Sequence, residues 1–333
     1  MATNDPTRTT ILRRDFRGAY NAMWARVERQ LWAAVQEMPA YLTRTEQIQY
    51  FERNLREILT AEAVAIEASP ARGLGSLLQA AYMQGLNLAN FDARAAGIEY
   101  WEERERPQVL VQQEDHKDEI AALLLLLLSD WQGIQQASQA QAMRAFVDSL
   151  DAGDAPGAMR AKVRDRLMKI GRTRTGLMVA SYVVAAVNAA ILARAQHLGV
   201  GFVVLEEELE FVTAGDNRVC PRCRNLAVRD NGYGPGIFTL SQARGVIPVH
   251  ALCRCRWRIA RSGRAVLLDE SGRLRSSIAR CCGVIVEIPP FACLESNLLS
   301  KGQCLVGSLT GVVASKRVTE ASKGSLSTLG NRA

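Results

Sequence analysis

Helical periodicity runs through the first two hundred residues and constrains the fold of this chain more than any other feature. Ala, Leu, Gln, Glu and Arg dominate this part, whereas Gly and Pro are sparse. The pattern predicts helices over residues 10–37, 45–68 and 74–96. In the first of these, the apolar residues recur at intervals of three and four; they are Leu12, Phe16, Tyr20, Met23, Val27, Leu31 and Val35.

A charged stretch at residues 99–119, which contains Pro107, predicts a loop or hinge after these helices. A second helical block then covers residues 120–198 and contains a loop at 151–157. Its apolar run at 177–192 has sixteen residues, slightly fewer than the ~20 that usually span a bilayer. We interpret this run as a buried core helix and expect no membrane span.

The character of the sequence changes near residue 200. Clustered β-branched residues predict short strands at 200–205 and 209–213, and alternation predicts another at 254–260. The expected fold is therefore mainly α with a small α+β module stapled by zinc. The expected parts are an N-terminal helical block (1–118), a central helical block (119–200), a Cys/His module (201–262) and a basic, then Ser/Gly-rich, partly disordered tail (263–333).

All eight cysteines lie after residue 219, and the N-terminus carries no apolar signal-peptide core, which together favour a reducing cytoplasm. Four of them form the pairs Cys220-Pro-Arg-Cys223 and Cys253-Arg-Cys255, and His250 stands three residues before the second pair. Two close pairs of thiolate or imidazole donors supply the tetrahedron that zinc prefers.

We expect Cys220, Cys223, His250 and Cys253 to bind zinc, with Cys255 able to replace His250 or Cys253. Four protein ligands leave no open position for a catalytic water, so a structural zinc and no enzyme activity are expected. Free buried thiols remain the alternative interpretation.

The segment that ends at the first Cys pair, Thr213-Ala-Gly-Asp-Asn-Arg-Val-Cys-Pro-Arg-Cys223, resembles the hallmark of the phage Mu F-protein-like head morphogenesis family. The second segment, Pro248-Val-His250-Ala-Leu-Cys253-Arg-Cys255, is similar to the Pro-x-His-x-x-Cys-Arg-Cys ending of that family. The match covers about residues 172–258 and includes Asn188 in the preceding helix. It departs from the family pattern where Ala251 and Leu252 replace Pro and Asn.

The resemblance implies a bacteriophage minor head protein, a structural component of the procapsid and portal region that is needed for head assembly or DNA delivery. It implies portal and capsid proteins as partners, phage DNA as a further one, and no small-molecule substrate. The expected location is the virion head interior or portal region, after assembly in the host bacterial cytoplasm.

Two other functions fit the same residues. A zinc-ribbon DNA-binding protein would use Arg254, Arg256 and Arg258 on phosphates. A metal-dependent nuclease would need an open metal position and a general base, for which Asp216 is the acid closest to the motif in sequence.

Overall fold

The computed structural model describes residues 5–98, 105–200 and 207–261, and the backbone of two strands at 277–281 and 284–288. The chain divides into two compact units, Met1–Leu267 and Leu268–Ala333. In the described residues the first unit is mainly helical with one small antiparallel sheet, which confirms the predicted mainly α fold with a small strand-containing module. Its elements are α1 (Thr10–Gln36), α2 (Arg44–Glu67), α3 (Leu74–Ala95), α4 (Pro107–Leu110), α5 (Glu114–Asp151), α6 (Pro156–His197), β1 (Glu207–Val212), α7 (Pro221–Val228), β2 (Ile237–Phe238), α8 (Leu240–Ala243) and β3 (Arg256–Arg261).

The first three helices match the predicted ranges to within one residue at each end. Local chemistry explains where α2 begins, because Thr43 and Glu46 form a capping box. The Thr43 side chain accepts a hydrogen bond from the Glu46 amide, and the Glu46 carboxylate accepts one from the Thr43 amide. Such reciprocal caps satisfy amide groups that the helix itself leaves without partners.

The prediction of a loop over residues 99–119 is wrong at its C-terminal end. Pro107 begins α4, and α5 begins at Glu114. Proline is tolerated at the first helical position because its missing N–H would have no partner there. Glu114 and Asp115 also stabilise the start of α5, since acidic side chains favour the positive end of the helix dipole.

Helix α6 is the central element of the first unit and packs against α1, α3 and α5. The loop predicted at 151–157 is confirmed between α5 and α6. Gly171 lies within an unbroken α6 against Trp24 of α1; a Cβ atom there would fall 2.5 Å from the indole. Gly85 of α3 similarly lets that helix approach the α6 backbone at Val187.

Among the described residues, α6 is the one helix whose length and composition would allow it to cross a membrane. Its most apolar 18-residue window has a mean hydropathy of 2.0, and 61% of that window is buried inside the protein. Core helices of soluble proteins pass the same test, so the observation is weak evidence for a membrane span.

The sheet has the order β2-β1-β3 with antiparallel pairing throughout. The predicted strands at 209–213 and 254–260 are confirmed as β1 and β3, whereas the strand expected at 200–205 lies largely outside the described residues. Phe211 of β1 is opposite Trp257 of β3, and both are buried, while Glu210 and Arg258 pair on the other face. This alternation gives the sheet one buried face, which packs on α3 and α6.

Most buried apolar side chains of the helices and of the Cys/His module form one continuous core, which runs from Phe16 of α1 to Ile259 of β3, and a smaller cluster surrounds Tyr82 and Leu110. The boundaries expected near residues 118 and 200 therefore do not separate independent cores. In the second unit, β4 (Ser277–Cys281) and β5 (Val284–Ile288) pair antiparallel within the expected tail. The remainder of residues 263–333, for which the sequence predicts partial disorder, lies outside the described residues.

Candidate metal centre

The first arm of the centre is the Cys-x-x-Cys motif at the start of α7. Cys220 is the N-cap residue and Pro221 occupies the first helical position. The Cys220 Sγ accepts a hydrogen bond from the Cys223 amide at 3.4 Å, so the two sulfur atoms face the same helix end. The sequence analysis missed α7 because Gly, Pro and Asn are frequent around it, although a proline directly after a capping residue was a usable signal.

The second arm is a tight turn that leads into β3. The Cys253 amide donates to the His250 carbonyl at 3.1 Å, and Leu252 has a positive φ of 63°. This turn reverses the chain between the imidazole and the Cys253 thiol. Cys255 then lies directly before Arg256, the first residue of β3.

The two arms bring all five predicted ligand residues together. The donor atoms of Cys220, Cys223 and His250 lie within 4.8 Å of one another, and so do those of Cys223, Cys253 and Cys255. Cys223 belongs to both groups and is therefore at the centre of the cluster. The four cysteines form no disulfide, and these soft donors at this separation suit a single thiophilic metal ion.

Hydrogen bonds define the orientation of His250. Its Nδ1 donates to the Ala251 carbonyl at 2.6 Å, and its Nε2 lies 3.3 Å from the Cys223 Sγ. Because Nδ1 carries the proton, Nε2 presents its lone pair to the sulfur cluster. This tautomer, oriented by a backbone carbonyl, is the form in which histidine binds a metal.

The thiols differ in acidity because they share protons. A hydrogen bond from Cys255, opposed by burial, lowers the pKa of Cys253 to about 5. The same interaction raises the pKa of Cys255, and burial raises the pKa of Cys223 to about 12. The Cys223 amide lowers the pKa of Cys220.

Four of the five candidate ligands line one small cavity. Cys220, Cys223, His250 and Cys255 all border it, and its volume of about 20 Å³ is that of one water molecule or one ion. Cys253 is completely buried and does not border this cavity; it reaches the cluster through Cys223 and Cys255.

A buried asparagine attaches the second arm to the helical core. Asn188 of α6 accepts a hydrogen bond from the Trp257 amide at 2.8 Å and donates one to the Cys255 carbonyl at 3.2 Å. The Asn188 side chain therefore makes the hydrogen bonds that a neighbouring strand would otherwise make to the backbone on either side of Arg256. The position of Cys255 consequently depends on α6 as well as on its own turn.

The three arginines predicted to contact nucleic acid are all held by carboxylates. Arg256 is buried and forms a bidentate ion pair with Asp92 of α3, at 2.5 and 3.2 Å. Arg258 pairs with Glu210 across the outer face of the sheet. A phosphate contact by Arg256 is therefore contradicted by its burial, and this arginine instead connects β3 to α3.

Arg254 forms a bidentate pair with Asp216, with two hydrogen bonds of 2.6 and 2.7 Å. This guanidinium holds the pKa of Asp216 well below its usual range. Since Asp216 lies in the turn before Cys220, the ion pair connects the two arms beside the cluster. The paired carboxylate is an acceptor for Arg254 and lacks the basicity of a general base.

Sequence reasoning missed Asp92 and Glu210, which neutralise two of these arginines. For Asp92 a signal existed, since it lies on the buried stripe of α3 with Leu88 and Ala89. A carboxylate on an apolar stripe requires a buried partner.

This chain matches no protein-family model, no curated protein sequence and no solved structure.

Proposed function

We propose that this protein is a bacteriophage minor head protein, similar to the phage Mu F-protein-like family, with a structural role in the procapsid and portal region. The observation that carries the proposal is the convergence of the motif residues. In the two segments that resemble the family, 26 residues separate Cys223 from His250, and in the fold the five Cys and His side chains meet at one point.

The cluster binds a single structural zinc ion in this proposal. Zinc takes four ligands and this site offers five donors, so one of them lies outside the first coordination sphere. We assign Cys220, Cys223, His250 and Cys255 as ligands because these four side chains border the same ion-sized cavity. With Cys255 held as a thiolate by the ion, the proton that these two thiols share lies on Cys253, which then donates a hydrogen bond to the Cys255 sulfur.

A structural role suits the surroundings of the cluster. The ion cross-links the start of α7 to the turn before β3, and Asn188 and Arg256 connect that strand to α6 and α3. The cavity beside the ligands has room for one small molecule the size of water and none for a substrate. The centre therefore supports a rigid surface for assembly, and a catalytic role for it lacks support.

Zinc content and two serine variants test the ligand assignment. Elemental analysis of protein purified without chelators should give about one zinc per chain, as expected for a single four-ligand site. Cys255→Ser should lower zinc affinity by ~10-fold or more, whereas Cys253→Ser should retain the ion. The reverse order would show that Cys253 is the ligand, and zinc-free wild-type protein that still protects residues 209–260 from protease would refute the structural ion.

Co-assembly tests the proposed head function. The protein should sediment with heads when it is produced together with the portal and major capsid proteins of its phage. Cys223→Ser should reduce this incorporation, because Cys223 is shared by both donor groups. Cys281→Ser, a cysteine of the second unit, is the matched control and should incorporate normally. A wild-type chain that never sediments with heads would contradict the proposal.

A further inference from the structure

The N-terminal half of α6 carries a concentration of positive charge. Residues 156–176 contain seven basic side chains and one acidic one, Asp165, for a formal charge of +6. The whole chain has a formal charge of +7, so this half-helix differs sharply from an average surface. We call these seven cations the α6 basic segment; they are Arg160, Lys162, Arg164, Arg166, Lys169, Arg172 and Arg174.

Most of these cations are available to a partner. Six of the seven are exposed, and Arg160 is half-buried beside Glu28. Lys162 pairs with Asp154. In the described part of the chain the other five have no carboxylate within ion-pair distance; they are Arg164, Arg166, Lys169, Arg172 and Arg174. Like charges this close repel one another, so an anionic partner would stabilise the segment.

The arrangement of the cations is elongated. Lys162, Arg166 and Lys169 follow each other at intervals of four and three residues and so share one side of the helix. Arg144 of α5 adds a charge across a groove of about 670 Å³, which Lys162 and Arg166 also line, together with the carboxylates of Asp148 and Asp165. The 21 residues extend over ~31 Å at ~1.5 Å per residue, which corresponds to about nine base pairs at ~3.4 Å each.

The exposed side of this segment is poor in apolar groups. Among its apolar residues Met159, Val163 and Leu167 are buried in the core, and Met168 and Ile170 are half-buried. A helix that inserts into a membrane interface needs an exposed apolar face, and the centre of a protein interface is usually depleted of charge. A surface that presents Arg and Lys without apolar neighbours fits a phosphate backbone, to which cations bind without reading the bases.

We propose that the α6 basic segment is a sequence-independent nucleic-acid-binding surface. It replaces the β3 arginines as the site of DNA contact, because Arg254, Arg256 and Arg258 are already neutralised by carboxylates. The inference rests on charge, exposure and pairing alone and is independent of the proposed head function. Its ligand class is a nucleic-acid duplex of any sequence.

A pair of triple variants tests this surface with the full chain. The first, Arg166→Gln with Lys169→Gln and Arg172→Gln, removes three cations that have no ion-pair partner in the described residues. The second is the matched control; it combines Arg44→Gln, Arg56→Gln and Arg258→Gln and removes three cations that are paired with carboxylates. Both variants lose the same net charge. Affinity for a fluorescent 30-base-pair duplex is measured by anisotropy from 50 to 200 mM NaCl.

Counterion release sets the expected size of the effect. Each phosphate contact contributes about −0.9 to the slope of log K against log salt, so the first variant should flatten the slope by up to ~2.7. If the affinities of the two proteins are equal at ~1 M salt, this slope change corresponds at 0.1 M salt to an affinity loss of up to ~500-fold. The control should bind within about threefold of wild type, because its cations are already neutralised.

Three results would overturn the proposal. The wild-type chain could fail to bind the duplex at 50 mM NaCl. The two triple variants could lose affinity equally, which would make net charge the cause. The chain could also bind vesicles with 30% phosphatidylserine through these cations while ignoring DNA, which would identify a lipid surface as the partner. Circular dichroism of both variants verifies that α6 remains folded.

Discussion

Replacing Asn188 with Ala should weaken the attachment of the second arm of the candidate metal centre to the helical core. Asn188 is 1% exposed and makes two hydrogen bonds to the backbone around Arg256, to the Trp257 amide and the Cys255 carbonyl. Alanine leaves both groups buried without partners, at about 1–3 kcal/mol each. The expected loss is therefore about 2–6 kcal/mol, a large fraction of the ~5–15 kcal/mol that stabilises an ordinary domain.

Urea denaturation followed by circular dichroism measures this loss, and chelator competition measures zinc affinity in parallel. Zinc affinity should fall as well, because the Cys255 carbonyl loses its anchor on α6. Asn54→Ala is the matched control; its side chain donates to the carbonyl of Tyr50 one turn earlier in α2. That variant should stay within ~0.5 kcal/mol of wild type. A loss below ~1 kcal/mol for Asn188→Ala would refute the anchoring role.

Three further substitutions test buried contacts of the first unit. Asp92→Asn should cost about 3–5 kcal/mol by leaving Arg256 buried and unpaired, and Arg256→Met on that background should recover part of it; a double variant no more stable than Asp92→Asn would contradict the charge argument. Burial lowers the pKa of His116 below its usual 6.5, so the unfolded chain binds that proton first. The free energy of unfolding should therefore fall as pH drops below 6.5, and His116→Gln should show a smaller fall over pH 7.5 to 5. Gly85→Ala should destabilise by ~1–3 kcal/mol, because its Cβ would lie 2.3 Å from an α6 carbonyl oxygen. Gly133→Ala, with open space around it, should be neutral or stabilising by thermal melting.

A comparison of helices α1 to α3 with α5 shows which sequence signals were sufficient to predict a helix. Helices α1 to α3 followed from apolar spacing, because a helix depends on contacts between residues three and four apart. The start of α5 did not follow, since a charged stretch with a proline is compatible with a loop and with a helix start. The acidic first turn at Glu114 decides between them only once the helix has a surface to pack on.

The candidate centre divides in the same way. The Cys and His spacing identified all five donor residues, because each pair is brought together by a short local turn. The helical state of the first pair was missed, as was the single turn of α8, whose capping box at Thr239 and Gln242 is visible in the sequence. The proposed choice of Cys255 over Cys253 as a ligand rests on the cavity that four of these donors border.

By itself the sequence determined the mainly helical fold, the two short strands and the set of candidate metal ligands, since all of these depend on residues close together in the chain. The tertiary structure decided which charges remain available to a partner. Asp92 neutralises Arg256 from 164 residues away, and Glu210 neutralises Arg258 across the sheet. Arg166 and Lys169 keep their charges exposed on α6. A linear pattern counts charges, whereas their pairing depends on distances that only the packed helices and strands establish.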